Sequence, residues 1–249
     1  MKRAKSLIKY IAVFKNWWWA AFARYLKGQL GEERCLRFRD GRTLIFRPGS
    51  DSTAMGEIFV PETYSPALGL RDVELVWDIG GNIGCFVIWA VSHYPKAQFE
   101  SFEPCEETRV ILTRNVEANP TIQWKIHHFG LANFDGVVDG YVPDNKFGET
   151  SRFGVEGMKV SLPLRAINDV WREYGRPKIG LLKIDCEGGE YDIFEGIDPQ
   201  LLLSVGFLIM EIHPVPGKDP LAIRSALESA GFKVHWPEPP EGLIWASRQ

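Results

Sequence analysis

From residue 75 onward the sequence alternates short apolar segments with amphipathic ones, separated by turn residues. This pattern predicts strands near residues 75–79, 97–102, 123–128, 179–184, 206–212, 231–236 and 243–247, and helices near 84–94, 105–118, 166–174, 189–195 and 219–230. Alternating strands and helices are typical of a mostly parallel sheet with helices on both faces. The sequence therefore predicts a doubly wound α/β fold.

The chain begins with a basic segment, residues 1–31, which holds seven Lys or Arg residues and no acid, whereas the rest holds 22 basic and 32 acidic residues. Its spacing predicts one amphipathic helix, with a stripe of Leu7, Ile11, Phe14, Trp18 and Tyr25 and a basic side of Lys2, Lys5, Lys9 and Lys27. Such a helix either touches an anionic membrane surface through residues 1–27 or packs on the main domain or on a partner subunit. Basic residues interrupt the segment, so it is not expected to span a bilayer.

Residues 32–70 are predicted to form a hairpin around Asp40-Gly41, with strands at 35–39 and 42–47, followed by a cap segment. The main domain is expected over residues 71–249. Its glycine-rich stretch from 130 to 165 is longer than a normal connection and is expected to add a strand or hairpin that shapes a substrate pocket.

Charge and cysteine content limit which partners and which cellular compartment the sequence predicts. An acidic body gives no support for a nucleic acid partner, whose phosphates require a basic surface. The four cysteines have no metal-site spacing and are expected to be reduced thiols. We expect a cytoplasmic protein, with a peripheral position at the inner membrane surface as the alternative.

A glycine-rich turn follows the first strand of the main domain. The segment VWDIGGNIG at 76–84 joins a strand to a helix through Gly80, Gly81, Asn82 and Gly84. Glycines let a ligand approach the backbone, and the helix offers its first amides. The spacing is not G-x-G-x-x-G, which opposes a nicotinamide cofactor and an oxidoreductase.

Carboxylates flank this turn. Asp78 ends the first strand, and Glu103 and Pro104 follow the second. A carboxylate at the position of Glu103 accepts hydrogen bonds from ribose hydroxyls in dinucleotide-binding folds. Each acid alone also fits a helix N-cap, but together with the glycines they predict a nucleoside ligand.

Five ionisable residues lie at or just after the ends of two later strands: Lys183, Asp185, Glu187, Glu211 and His213. If the strands are neighbours, these groups meet at the carboxyl edge of the sheet and form a candidate reaction centre. His213 suits a general base because its ordinary pKa is near 6.5, and Asp185 or Glu211 would orient it or take the proton instead. A divalent cation on Asp185, Glu187 and His213 is the alternative. For Lys183 an ordinary buried ion pair with Glu187 or Glu211 is the other interpretation.

These segments resemble the FkbM family of methyltransferases that use S-adenosylmethionine (SAM). The resemblance rests on VWDIGGNIG at 76–84, FEP at 102–104, SLPLRAINDV at 161–170, LLKIDCEGGEYDIFEG at 181–196 and LIMEIHP at 208–214. It implies a class I, Rossmann-like methyltransferase fold with seven strands, the last antiparallel. It also implies SAM bound by Asp78, Gly80, Asn82 and Glu103, within segments that include Gly81, Gly84 and Pro104, and it makes Glu57 and Tyr64 contributors near the cofactor.

The resemblance implies O-methylation, so the expected function is methyl transfer from SAM to a hydroxyl of a sugar, glycolipid or secondary metabolite. The expected partner is a small-molecule or glycan acceptor. The alternative is a membrane-associated SAM-binding or scaffold protein without turnover. Retention of both Asp78 and Glu103 argues against that alternative.

Overall fold

The computed structural model of the chain describes residues 2–22, 33–48, 51, 55, 58–59, 63–143, 150–153 and 156–248. Within residues 2–22, side chains are described for residues 8–19. The predicted contributor Glu57 and the end of the basic segment, residues 23–31, lie outside the described residues.

A seven-stranded sheet organises the main domain. Its strands are β3 (Leu75–Ile79), β4 (Gln98–Phe102), β5 (Trp124–His127), β9 (Ile179–Ile184), β10 (Val205–Ile212), β11 (Lys233–His235) and β12 (Gly242–Ser247). Their spatial order is β5-β4-β3-β9-β10-β12-β11, and β12 runs antiparallel to both of its neighbours, β10 and β11, whereas the other pairs of neighbours are parallel. The predicted doubly wound, mostly parallel seven-stranded fold is confirmed.

Helices cover both faces of this sheet. They are α3 (Cys85–Ala90), α4 (Glu106–Glu117), α5 (Ile167–Glu173), α6 (Glu190–Phe194), α7 (Pro199–Ser204) and α8 (Pro220–Ser229). All except α7 were expected from the periodicity. Asp198 caps α7 by accepting a hydrogen bond from the backbone amide of Gln200 at 2.9 Å, and β10 starts directly after the helix.

Alternate residues of the central strands enter two hydrophobic cores. Val76 and Leu181 pack with α3 and α4 on one face, whereas Trp77 and Leu182 pack with α5, α6 and α8 on the other. Consecutive side chains of a strand point to opposite faces, so strands buried on both sides contain nearly continuous apolar residues. This explains why LVWDI and IGLLKI contain so few polar groups.

The N-terminal segment packs against the first of these cores as two helices, α1 (Lys2–Val13) and α2 (Trp17–Phe22). The prediction of one continuous helix is wrong at Phe14, because its backbone pairs with Phe38 and its ring is fully buried against Phe38 and Phe59. The break also changes the buried stripe. Tyr10 and Phe14 are buried, whereas Ile11 and Trp18 are exposed.

A hairpin of β1 (Arg34–Arg37) and β2 (Thr43–Phe46) joins this segment to the main domain. Two asparagines bind it: Asn115 of α4 exchanges hydrogen bonds with the backbone of Ile45, and Asn119, just after the end of α4, does so with Thr43. These hydrogen bonds to its backbone, together with apolar contacts, tie the hairpin to the C-terminal end of α4.

The stretch from 130 to 165 contributes a second sheet of three strands, β6 (Gly130–Ala132), β7 (Gly136–Val142) and β8 (Met158–Ala166), in the order β6-β8-β7. The sequence predicted a strand or hairpin here, and the structure adds a third strand. Among the residues that the structure describes, none of the helices combines the length and the apolar character that a membrane crossing requires.

Candidate active site

A cavity of about 330 Å³ lies at the carboxyl ends of β3, β4, β9 and β10. The chain leaves β3 toward β4 and β5 and later returns to β9 on the other side of β3, so this edge contains the point where strand order reverses. Ligands of open α/β sheets bind at such a point. The second sheet contributes Leu131, Leu162 and Leu164 to one wall, and Tyr64 lies on another.

The glycine turn brings the ends of β3 and β9 into contact. Gly80 has a φ of 74°, and a Cβ on it would lie 1.8 Å from the carbonyl oxygen of Asp185. The amides of Gly80 and Gly81 both donate to the carbonyl of Phe102 at 3.1 Å. Glycine at position 80 is thus required by the close approach of Asp185 as well as by the turn.

Gly84 does not lie on the described cavity wall, so its predicted cofactor role gains no support from the cavity. It precedes α3 with a φ of 90°, and a Cβ there would lie 2.2 Å from the ring of Trp124. Its small size serves the packing of α3 on β5.

Glu103 lines the cavity at the end of β4 and is 7% exposed. Its two carboxyl oxygens accept hydrogen bonds from the amides of Asn82 at 2.8 Å and Cys105 at 2.9 Å. Burial raises the pKa of Glu103 to about 7, although these amides favour the charged form. Because each carboxylate oxygen accepts two hydrogen bonds, the group retains capacity for donors from the cavity.

Asp78 lies beneath the described cavity wall instead of on it, and its contact with the cofactor stays a prediction. Its side chain is fully buried, accepts a hydrogen bond from Ser101 Oγ at 3.0 Å and lies 3.1 Å from Lys183 Nζ. The ammonium also donates to the carbonyl of Gly80 at 2.6 Å. Asp78 and Lys183 hold the glycine turn in place.

Lys183 therefore forms a buried ion pair, but with Asp78 in place of the expected Glu187 or Glu211. Burial disfavours its charge, yet the carboxylates of Asp78 and Asp185 outweigh that effect and raise the pKa of the ammonium. A charged ammonium has no lone pair with which to accept a proton. We assign it a positioning role.

The five predicted ionisable groups do converge, because β9 and β10 are neighbours with Ile209 opposite Lys183. His213 Nε2 lies 3.5 Å from Glu187 Oε2 and 4.0 Å from Asp185 Oδ1. Asp185 also lies near the hydroxyl of Tyr64, at 3.4 Å from Oδ2. The predicted convergence of the five groups on one wall is thus confirmed, and their role as a reaction centre stays a prediction.

The pKa of the His213 imidazole differs from the ordinary value that the sequence analysis assumed. Burial lowers its affinity for a proton, but the hydrogen bond with Glu190 and the charges of Glu190, Glu187 and Asp185 outweigh that effect and raise the pKa of His213 to about 10. A histidine with that pKa is protonated at neutral pH. The prediction of a general base assumed an ordinary pKa near 6.5, and the carboxylates around His213 do not leave it with that value.

Sequence reasoning missed Glu190. This carboxyl group is fully buried, accepts a hydrogen bond from the amide of Cys186 at 2.9 Å, and lies 3.2 Å from His213 Nδ1. In the sequence it follows two glycines at the start of a helix and resembles an ordinary first-turn acid, so no signal there indicates its contact with His213.

Most of the predicted site residues line the cavity. The predicted residues that line the cavity are Tyr64, Gly80, Gly81, Asn82, Glu103, Pro104, Lys183, Asp185, Glu187, Glu211 and His213. One ligand atom from each of Asp185, Glu211 and His213 lies within 4.8 Å of the others, so a cation site would use Glu211 where the sequence suggested Glu187.

Arg152 is a further wall residue that the sequence did not single out. It pairs with the buried carboxylate of Asp192 and lies over the ring of Phe153. It belongs to the stretch between β7 and β8, whose contribution to the wall depends on tertiary packing. None of the cysteines at positions 35, 85, 105 and 186 is in a disulfide.

Comparison with known proteins agrees with this geometry. Residues 78–234 match the family model "Methyltransferase FkbM domain". The chain is 29% identical over 231 residues to methyltransferase sdnD of Sordaria araneosa, covering 78% of this chain and 88% of that protein. It is 30% identical over 159 residues to hexuronic acid methyltransferase AglP of Haloferax volcanii, covering 63% and 62%.

A third relative is 31-O-demethyl-FK506 methyltransferase FkbM of Streptomyces tacrolimicus, which is 24% identical over 215 residues, covering 73% of this chain and 82% of the relative. The family model alone spans more than half of the chain, and the fold and the cavity are those expected of such an enzyme. The chain belongs to the FkbM family and is a SAM-dependent methyltransferase.

Proposed function

We propose that this enzyme methylates a hydroxyl group of a sugar, glycolipid or secondary metabolite. The observation that carries the proposal is that one cavity joins the buried carboxyl of Glu103 to the cluster of Asp185, Glu211 and His213. A nucleoside end and a proton-accepting end are the two parts that such a transfer needs.

Glu103 binds the ribose in this proposal. The carboxyl oxygens are already oriented by two backbone amides, and they can accept further hydrogen bonds from the two ribose hydroxyls. Gly80, Gly81 and Asn82 form the adjoining wall, and Pro104 continues it beyond Glu103. When bound, SAM supplies an electrophilic methyl carbon on a positively charged sulfur.

Asp185 accepts the proton of the acceptor hydroxyl. The acceptor oxygen forms a bond to the methyl carbon, the bond between that carbon and sulfur breaks, and its electrons remain on sulfur. Asp185 suits this step because its side chain is about a quarter exposed to the cavity and lies beside Tyr64 and Lys183. Glu211 is the second candidate for the proton acceptor, and charged His213 keeps the carboxylates close together.

The choice of an oxygen acceptor is supported by two relatives. One is named for a hexuronic acid and the other for the 31-O position of FK506. Both acceptors belong to chemical classes that carry hydroxyl groups, and a carboxylate base is suited to an alcohol.

The experiment is methyl transfer from radiolabelled SAM to a panel of free hexuronic acids, glycolipids and hydroxylated polyketides. Asp185→Asn should lower kcat on any accepted compound by about a hundredfold or more, because the proton acceptor is lost. Its affinity for S-adenosylhomocysteine should change little. Asp169→Asn, at an exposed position on α5, is the matched control.

Turnover of Asp185→Asn at the wild-type rate would remove Asp185 from the proposal. Labelling of nitrogen or carbon acceptors alone would remove O-methylation. Parallel assays with and without a chelator separate a base from a cation, because activity that stops on chelation would indicate a metal at Asp185, Glu211 and His213.

A further inference from the structure

The outward side of α1 and α2 carries large apolar side chains in contact with water. Ile8 is 66% exposed, Ile11 39% and Trp18 47%. On the inward side, Tyr10 and Phe14 are buried in the main core. Ile8 lies about 160° around the helix from Tyr10, so an isoleucine occupies the position that faces most directly away from the protein.

Cationic residues lie beside these apolar side chains. Exposed Lys15 donates its backbone amide to the carbonyl of Arg37 at 2.7 Å, and the guanidinium of Arg39 donates to the carbonyl of Ile11 at 2.9 Å. Two acids flank β1, the strand that contains Arg37, and both are already paired: Glu33 with Arg114 and Asp40 with Arg42. The surface is therefore apolar with a basic margin.

The distribution of charge along the chain also favours an anionic partner for this surface. Residues 1–31 carry seven basic groups and no acid, whereas the rest has an excess of ten acidic groups, 32 against 22. An anionic surface repels the acidic excess of such a body and attracts its basic N-terminal segment. A protein partner of ordinary mixed charge would not require this separation.

We propose that this surface docks on an anionic lipid bilayer. We call it the head face and define it as Ile8, Ile11, Lys15, Trp18, Arg37 and Arg39. The apolar side chains enter the boundary between headgroups and acyl chains, and the basic side chains bind the anionic headgroups. Because Tyr10 and Phe14 fix α1 to the domain, the folded enzyme docks as one body.

The test is co-sedimentation of the full-length protein with vesicles of phosphatidylcholine, and with vesicles that also contain phosphatidylglycerol. The wild type should sediment only with the anionic vesicles, and added salt should reduce the bound fraction. Ile8→Ser combined with Trp18→Ser should weaken binding about tenfold or more, because buried apolar area is lost. Lys15→Gln should weaken it roughly fivefold.

Leu221→Ser is the matched control, because Leu221 is 52% exposed on α8, which packs on the other face of the sheet. It should bind like the wild type. Melting temperatures should be unchanged in all these variants, since the side chains are exposed. The proposal is overturned if the wild type ignores both vesicle types, binds both equally, or binds unchanged without Ile8 and Trp18.

Self-association without lipid that is lost in the Ile8 and Trp18 variant would also overturn it, because the head face would then be covered by a second copy. None of these outcomes depends on methyl transfer. Failure of docking is thus distinguishable from failure of the proposed reaction.

Discussion

Raising the pH from about 6 to about 8 should strengthen the binding of S-adenosylhomocysteine about tenfold, because Glu103 ionises over this interval. Burial raises the pKa of Glu103 to about 7, so the unliganded protein holds this group partly protonated near neutrality. Ribose hydroxyls are hydrogen-bond donors and prefer the carboxylate form. Binding should therefore release a proton below pH 7 and become independent of Glu103 titration above pH 8.

The magnitude follows from the ionised fraction. With a pKa of about 7 the carboxyl is about one-eleventh ionised at pH 6 and about ten-elevenths at pH 8, and the affinity should follow that ratio. Titration calorimetry at several pH values, each in two buffers of different ionisation enthalpy, measures the affinity and the proton release together.

Glu103→Gln provides the variant that isolates this effect. A neutral amide of the same shape should bind weakly at pH 8 and lose the tenfold dependence. Glu106→Gln, at an exposed position in the first turn of α4, should keep it. A wild-type affinity that is flat between pH 6 and 8, or a Glu103→Gln variant that matches the wild type, would refute the reasoning.

Three further variants test other parts of the account. Gly84→Ala should lower stability by about 2–5 kcal/mol because of its clash with a tryptophan and its positive φ, whereas Gly175→Ala, at a similar φ in open space, should cost about 1–2 kcal/mol, as thermal unfolding would show. Phe14→Ala should cost about 3–5 kcal/mol by chemical denaturation, whereas Trp18→Ser should cost almost nothing, and equal losses would contradict a docked α1. His213→Ala should lower kcat and move the acidic limb of its pH profile upward, because the neighbouring carboxylates lose their cation, while SAM affinity stays nearly constant; an unmoved profile would assign His213 no electrostatic role.

The sheet could be predicted from the sequence because the pattern that specifies each strand lies within the strand and the turns beside it. Strands such as β3 and β9 are short apolar runs bounded by turn residues, and a parallel α/β topology follows from their alternation with helices. The meeting of Asp185 with His213 was predictable for the same reason, since both end neighbouring strands.

Contacts between distant segments explain what the sequence did not show. The break between α1 and α2 depends on the pairing of Phe14 with Phe38. The helical spacing of apolar residues continues through Phe14, so the sequence pattern does not indicate this pairing. The small size required of Gly84 comes from Trp124, forty positions along the chain. The raised pKa of His213 comes from carboxylates in another loop and from buried Glu190.

The most direct test of the account is a calorimetric titration of the purified protein with SAM and S-adenosylhomocysteine, with NAD as the control and Glu103→Ala as the paired variant. The account predicts one site of micromolar affinity for the first two ligands, no heat with NAD, and binding at least tenfold weaker in the variant. No binding of either sulfur ligand, or equal affinity in Glu103→Ala, would contradict the claim that this cavity holds the methyl donor.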